Sequence, residues 1–236
     1  MPAALEISPL VDGVKTLTIS NPGKRNALDT GVLDALQVAL RDDAGVRCWL
    51  IKSADPTVFS SGYDLSALNG FPEGTALPDE HIGAVFDALM SHAAPSVALV
   101  TGPAYGAGFE LALACDFRVG GPHARFNMPP AKLGIVYAAH GLQRLVARVG
   151  LQHARRLFLT ARTVEAPEAK AIGLLDVLAD DAQAEALRLV NELASNAPLA
   201  VQGMKRGLAL LETNAEYEAL RRASFNSDDA REGKAA

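Results

Sequence analysis

Residues 5–8 and 14–20 alternate apolar and polar side chains on either side of Asp12-Gly13, the period-two signature of two half-buried strands joined as a hairpin. The period then changes. Leu33, Leu36, Val38 and Leu40 supply an apolar face at helical spacing, and Asp29 stands before them as an N-cap. Residues 46–52 form a short β-rich run and read as a buried strand. Residues 70–78, with two Gly and two Pro, predict a loop. Ile82, Val85, Phe86 and Leu89 predict a helix over residues 79–90, followed by a buried strand over 96–101. A short helix at 111–114, a strand at 117–120, helices at 141–149 and 152–159, and a last strand at 174–178 complete the series.

Strands that alternate with helices argue for crossover βαβ units, hence an α/β fold with parallel pairing. From about residue 181 the pattern is helical only, broken once at Asn196-Ala197-Pro198. The chain therefore divides into a core over residues 1–180, a helical region over 181–226, and a small, charged tail over 227–236 expected to be disordered.

Composition narrows the function classes. The 236 residues are 49% hydrophobic and 21% charged, with a net charge of −5, ordinary for a globular protein. Lys and Arg are scattered, which argues against a nucleic-acid surface. No apolar run approaches the roughly 18 residues that span a bilayer, and residues 1–7 lack the features of a signal peptide. The two cysteines, Cys48 and Cys115, lie in apolar segments and read as buried reduced thiols. A cytoplasmic protein is expected. The five histidines show no ligand spacing with Cys or paired carboxylates, so no metal is expected.

The chemistry is concentrated in two turns, Phe59-Ser60-Ser61-Gly62-Tyr63-Asp64-Leu65 and Gly102-Pro103-Ala104-Tyr105-Gly106-Ala107-Gly108-Phe109-Glu110-Leu111. Each runs into a helix start and leaves backbone N–H groups unpaired. Two such turns facing one another hold a carbonyl oxygen between two amides, an oxyanion hole. Glu110 follows the second turn. It reads either as a solvent-facing helix residue or as an acid/base. Its neighbours Phe109, Leu111, Ala112, Leu113 and Ala114 are all apolar, which favours the second. Burial favours the neutral form of a carboxyl group, which suits a proton shuttle near neutrality. The same strand-turn-helix suggests a dinucleotide site, but that fingerprint needs a third glycine where Leu111 stands.

These segments resemble the crotonase family, the enoyl-CoA hydratase/isomerase superfamily. The likeness runs from about Thr16 to Leu211 and takes in Asn21-Pro22-Gly23-Lys24-Arg25-Asn26-Ala27-Leu28, the stretch Pro129 to Leu145, and Ala171-Ile172-Gly173-Leu174-Leu175-Asp176. The resemblance implies a ββα spiral core with C-terminal helices that cover the pocket or a neighbouring subunit, in a homotrimer or dimer of trimers. It implies an acyl-CoA thioester as substrate and no further cofactor. It assigns the oxyanion donors to the N–H groups of Tyr63 and Ala107, and CoA contacts to Lys24, Arg25, Ala27, Ser61, Asp64 and Leu65. Lys24 and Arg25 also read as an ordinary solvated loop pair. Family members commonly carry Gly where Ala107 stands, and a positive φ there would cost alanine on the order of 1 kcal/mol.

One position departs from the pattern. Hydratases of the family carry a second glutamate where this chain has Pro130. Hydration needs one group to activate water and another to deliver a proton to the α-carbon. Asp, Glu and Cys are absent from residues 128–144, which leaves Tyr137 and His140 as second proton groups; His140 equally reads as a surface histidine at a helix start. The expectation is an enoyl-CoA hydratase/isomerase-like enzyme with Glu110 as acid/base. The alternatives are a decarboxylase or thioester hydrolase on the same site, or a non-catalytic acyl-CoA-binding protein.

Overall fold

The computed structural model describes residues 4–64, 78–210, 219, 221–224 and 227–229. The expected loop at 70–78 lies outside them apart from Pro78, as do Leu65 and the tail beyond residue 229. The hairpin forms as the alternation predicts: β1 (Ala4–Ile7) pairs antiparallel with β2 (Val14–Ser20), Ala4 opposite Ser20. A 3-10 turn (Pro22–Lys24) leads to α1 (Thr30–Arg41), whose N-cap Asp29 accepts a hydrogen bond from the Val32 N–H at 2.9 Å. Val32, Leu33, Leu36, Ala39 and Leu40 form its buried face. Val38 was expected there but is 62% exposed, because two residues from Leu36 and from Leu40 is about 200° around a helix.

From β2 the sheet grows by parallel crossovers through β3 (Cys48–Ser53), β4 (Ser96–Val100), β6 (Phe117–Gly120) and β9 (Val177–Leu178). The helices α2 (Pro78–Ser91), α3 (Ala107–Ala114), α5 (Ala139–Thr160) and α6 (Ala166–Ala171) lie between strands in the chain. The two faces of the sheet separate by the period of two. Trp49, Ile51, Ala98 and Val100 join the large core with α1, α2, α3 and α5. Cys48, Leu50, Val97, Leu99 and Val119 face Ala182, Ala186, Val190 and Ala194 of α7 (Ala182–Ser195). That i, i+4 stripe of small residues lets α7 lie close on the sheet. Helix α8 (Pro198–Leu210) is tied back by Lys205, whose ammonium reaches Asp116 Oδ2 at 2.8 Å and the Ala94 carbonyl at 3.1 Å.

A second, three-stranded sheet was not read from the sequence. It orders β5 (Pro103–Tyr105), β7 (Arg125–Asn127) and β8 (Val164–Glu165), each too short for a periodicity to register. The strand expected over 174–178 shrinks to β9. Leu174 and Leu175 are fully buried, but their N–H groups turn back to the Ala169 carbonyl instead of entering a ladder. The two helices expected at 141–149 and 152–159 do occur within α5, separated by Gly150 at φ 74°.

Candidate active site

The two Gly-containing turns meet. The 59–63 segment runs beside β5: Phe59 N–H donates to the Pro103 carbonyl at 2.9 Å, and Tyr105 N–H donates to the Ser60 carbonyl at 2.9 Å. On its other edge Leu28 N–H donates to the Gly62 carbonyl at 2.8 Å, and Asp64 N–H donates to the Leu28 carbonyl at 2.9 Å. Gly62 sits at φ +103°, and a Cβ there would lie 2.8 Å from the Tyr105 carbonyl oxygen and 3.5 Å from the Ala107 nitrogen. The contact is so close that only glycine fits. Among the described residues, neither the Tyr63 N–H nor the Ala107 N–H has a backbone or side-chain acceptor. The left-handed conformation falls on Gly106 (φ 50°) and not on Ala107, so alanine pays no backbone penalty there. Gly108 packs its helix start onto Ser60, whose Cβ would be 2.5 Å from an added Cβ.

The helix α3 is hydrophobic all round and wholly buried, and it begins earlier than the sequence pattern indicated. Glu110 therefore lies in its first turn, its N–H bonded to the Gly106 carbonyl at 3.0 Å and its carboxylate 2% exposed. A charge removed from water this far needs partners, and α4 and α5 supply them. The short helix α4 (Pro130–Leu133) starts at the buried Pro130, a natural first helical residue. The chain then turns into α5, bringing three side chains to Glu110. The Tyr137 hydroxyl donates to Oε2, and Arg144 Nη1 donates to Oε1. His140 Nε2 stands 3.7 Å from Oε1. Gly141 leaves the room: a Cβ there would meet the Tyr137 ring and come within 2.9 Å of Glu110 Oε1. Burial, then the negative charge of Glu110 and the hydrogen bond to it, push the Tyr137 hydroxyl well above its usual pKa near 10, so it stays a neutral donor.

Arg144 was missed at the sequence level. It is buried to 5% exposure, and its other contacts are the Gly83 carbonyl at 3.1 Å, Asp87 Oδ1 at 2.5 Å, Met90 Sδ at 3.2 Å and the Phe86 ring at 5.9 Å. No local signal marks it: α5 also carries Arg148, Arg155 and Arg156, and only packing selects which arginine turns toward Glu110. The CoA-contact residues of the resemblance also cluster. Lys24, Arg25 and Ala27 run alongside 61–64, with Ser61 N–H donating to the Arg25 carbonyl at 3.0 Å. The Lys24 ammonium lies 2.5 Å from Asp64 Oδ2. Leu65 is outside the described residues. No group of three or more metal-ligating side chains occurs among the described residues.

The fold agrees with the comparisons. The family model described as Enoyl-CoA hydratase/isomerase matches residues 11–233, and the chain belongs to that family. It is 34% identical over 92% of its length to enoyl-CoA hydratase EchA19 of Mycobacterium tuberculosis, covering 87% of that protein. It is 35% identical over 83% of its length to the 2,3-dehydroadipyl-CoA hydratase of Escherichia coli, covering 78% of that protein. A crystal structure of an enoyl-CoA hydratase/isomerase family member superposes with a TM-score of 0.91 at 31% identity, covering 100% of this chain and 94% of that one. The fold is the crotonase fold.

Proposed function

We propose that this enzyme rearranges protons on an acyl-CoA thioester through an enolate, with the thioester oxygen held between the N–H groups of Tyr63 and Ala107. The observation that carries the reading is the buried Glu110 carboxylate in the first turn of α3, the helix that begins at Ala107. Two preorganised donors in a dry site stabilise the oxygen as its charge develops. Glu110 takes a proton from the carbon next to the carbonyl or from the γ-carbon. The enolate forms, and Glu110 returns the proton at the other carbon, which moves the double bond with no net change in atoms.

Hydration requires a second group, because Pro130 carries no proton chemistry. The Tyr137 hydroxyl, already bonded to Glu110, and His140 at 3.7 Å are the groups that would position water. Arg144 supplies the counter-charge that keeps the carboxylate in place. Lys24 and Arg25 would approach the CoA phosphates. The same reading takes the enzyme as cytoplasmic, without a cofactor beyond the CoA of its substrate, and assembled as a homotrimer or dimer of trimers. Leu133, Ile135 and Val136, all exposed in the short stretch before Tyr137, make an apolar patch of the kind an assembly covers.

Crotonyl-CoA incubated in heavy water tests the reading. Deuterium uptake without loss of the enoyl absorbance identifies an isomerase-type exchange, and loss of absorbance with gain of water identifies hydration. Glu110→Gln is expected to lower either rate by about 10²–10⁴-fold. An unchanged rate in Glu110→Gln overturns the assignment. Binding without exchange would favour a non-catalytic acyl-CoA carrier, and release of free CoA a thioester hydrolase.

A further inference from the structure

A base that takes a proton from carbon either returns that proton or exchanges it with water first. Which happens depends on what else faces the carboxylate. Glu110 is 2% exposed, and among the described residues three side chains reach it. Arg144 donates to Oε1, and its guanidinium does not give up its proton. Tyr137 donates to Oε2, and burial with the charge of Glu110 keeps its hydroxyl protonated well above pH 10. Neither passes a proton onward near neutrality.

His140 is the third. Its Nε2 is buried, has no hydrogen-bond partner among the described residues, and stands 3.7 Å from Glu110 Oε1. That is longer than a hydrogen bond, so the pair is poised and not locked; contacts of this kind tighten once substrate is bound. The side chain is nonetheless 30% exposed, because it lines an open groove of about 430 Å³ between α2 and the start of α5. Glu110 does not line that groove, and His140 stands between the two. Glu80 and Asp87 are exposed on the groove side, where carboxylates exchange protons freely with water. Gly83 makes room for the ring: a Cβ there would lie 2.5 Å from Cε1 and 2.7 Å from Nε2. A neutral imidazole accepts a proton at one nitrogen while it holds one on the other, so it takes a proton on its buried side and releases one on its wet side.

We infer that His140 relays protons between Glu110 and the groove, and so sets whether the proton that Glu110 removes from carbon returns to the product or is replaced from solvent. The inference rests on Glu110 being the acid/base of the proposed function. After proton abstraction Glu110 is a neutral carboxylic acid. Its O–H bond breaks as the Nε2–H bond forms, which restores the carboxylate and makes an imidazolium. The Nδ1–H bond then breaks and the proton leaves to water, which restores a neutral imidazole. The reverse sequence brings a solvent proton to Glu110 and resets the ring. In this role His140 acts through Glu110 and not on the substrate.

The test converts hex-3-enoyl-CoA to hex-2-enoyl-CoA in heavy water and counts deuterium on the γ-carbon per product molecule, by mass spectrometry at early conversion. The intact enzyme is expected to introduce solvent deuterium. His140→Gln, which fills similar space but cannot carry a proton through, is expected to lower deuterium per product severalfold. The readout is a ratio, so a fall in total rate does not by itself move it. Gly83→Ala displaces Cε1 and Nε2 from the other side with a residue that suits a helix better than glycine. It is expected to lower the same ratio, and it carries the test if His140→Gln does not fold. Conversion without deuterium in the intact enzyme, or a ratio that the variants leave unchanged, overturns the relay and leaves the proposed function standing. Absence of any conversion by the intact enzyme overturns both.

Discussion

At the scale of single residues, the carboxylate of Glu110 is held by opposite kinds of partner, a cation and a neutral donor. Arg144 to methionine would remove the cation and leave Glu110 2% exposed without a counter-charge. Breaking a buried pair from one side costs about 3–5 kcal/mol, so Arg144→Met is expected to lower both stability and turnover steeply. Arg144→Lys keeps the charge but not the fork that reaches Glu110, Asp87 and the Gly83 carbonyl together; it should recover stability more than kcat. Thermal unfolding and turnover measured on the pair check this, and equal recovery of both would argue that the arginine merely fills space. Tyr137 gives a pH-dependent expectation. Its hydroxyl is raised well above 10, so it remains a protonated donor where a free tyrosine ionises. Tyrosinate absorbance titrated from pH 9 to 11.5 should therefore change little between the parent and Tyr137→Phe, although that variant should lose about tenfold or more in rate. A tyrosine signal near pH 10 that disappears in Tyr137→Phe would contradict the buried hydrogen bond.

At the scale of elements, the site depends on close approaches that only glycine permits. Gly62→Ala combines a residue at φ +103° with a Cβ only 2.8 Å from the Tyr105 carbonyl oxygen. The turn must shift, and the separation of the Tyr63 and Ala107 amides shifts with it. Turnover should fall by more than tenfold, with a smaller change in melting temperature, since the strain is local. A Gly62→Ala variant with parental kcat would show that the two turns do not work as a pair. Much of this arrangement was legible. The two turn sequences predicted facing amides, although the helix start expected after the 59–65 turn lies outside the described residues, and the apolar surroundings of Glu110 predicted its burial. Three things escaped. Arg144 belongs to a helix whose face toward Glu110 emerges only once α5 is packed on α3. The strands β5, β7 and β8, two or three residues each, are fixed by partners distant in the chain and carry no local period. The apolar run at 174–178 was read as a strand because burial on a turn and burial in a sheet leave the same sequence trace. Val38 turns outward by the helical period itself, about 200° from Leu36 and Leu40.

At the scale of the whole molecule, the two faces of the sheet meet in a polar and thiol layer around Asp116. Cys48 lies on the α7 face and Cys115 in the larger core, both free and fully buried. Burial first, then the negative charge of Asp116, pushes both thiols from 9.0 up to about 12. For a group that is neutral when protonated, a raised folded-state pKa means the folded chain holds protons that the unfolded chain gives up above pH 9. The stability this contributes is complete below pH 9 and is lost as the pH rises from 9 towards 12. At pH 10 the loss is on the order of 1 kcal/mol per thiol, roughly 2–3 kcal/mol for the two. That is a large share of the 5–15 kcal/mol by which domains are stable. Tyr137 adds to the same trend at higher pH. Urea unfolding at pH 8 and pH 10 should show this drop. The variant Cys48→Ala/Cys115→Ala should start from lower stability, because each truncation leaves a small void, yet lose less between the two pH values. Parallel losses in parent and variant would place the alkaline sensitivity outside the two thiols.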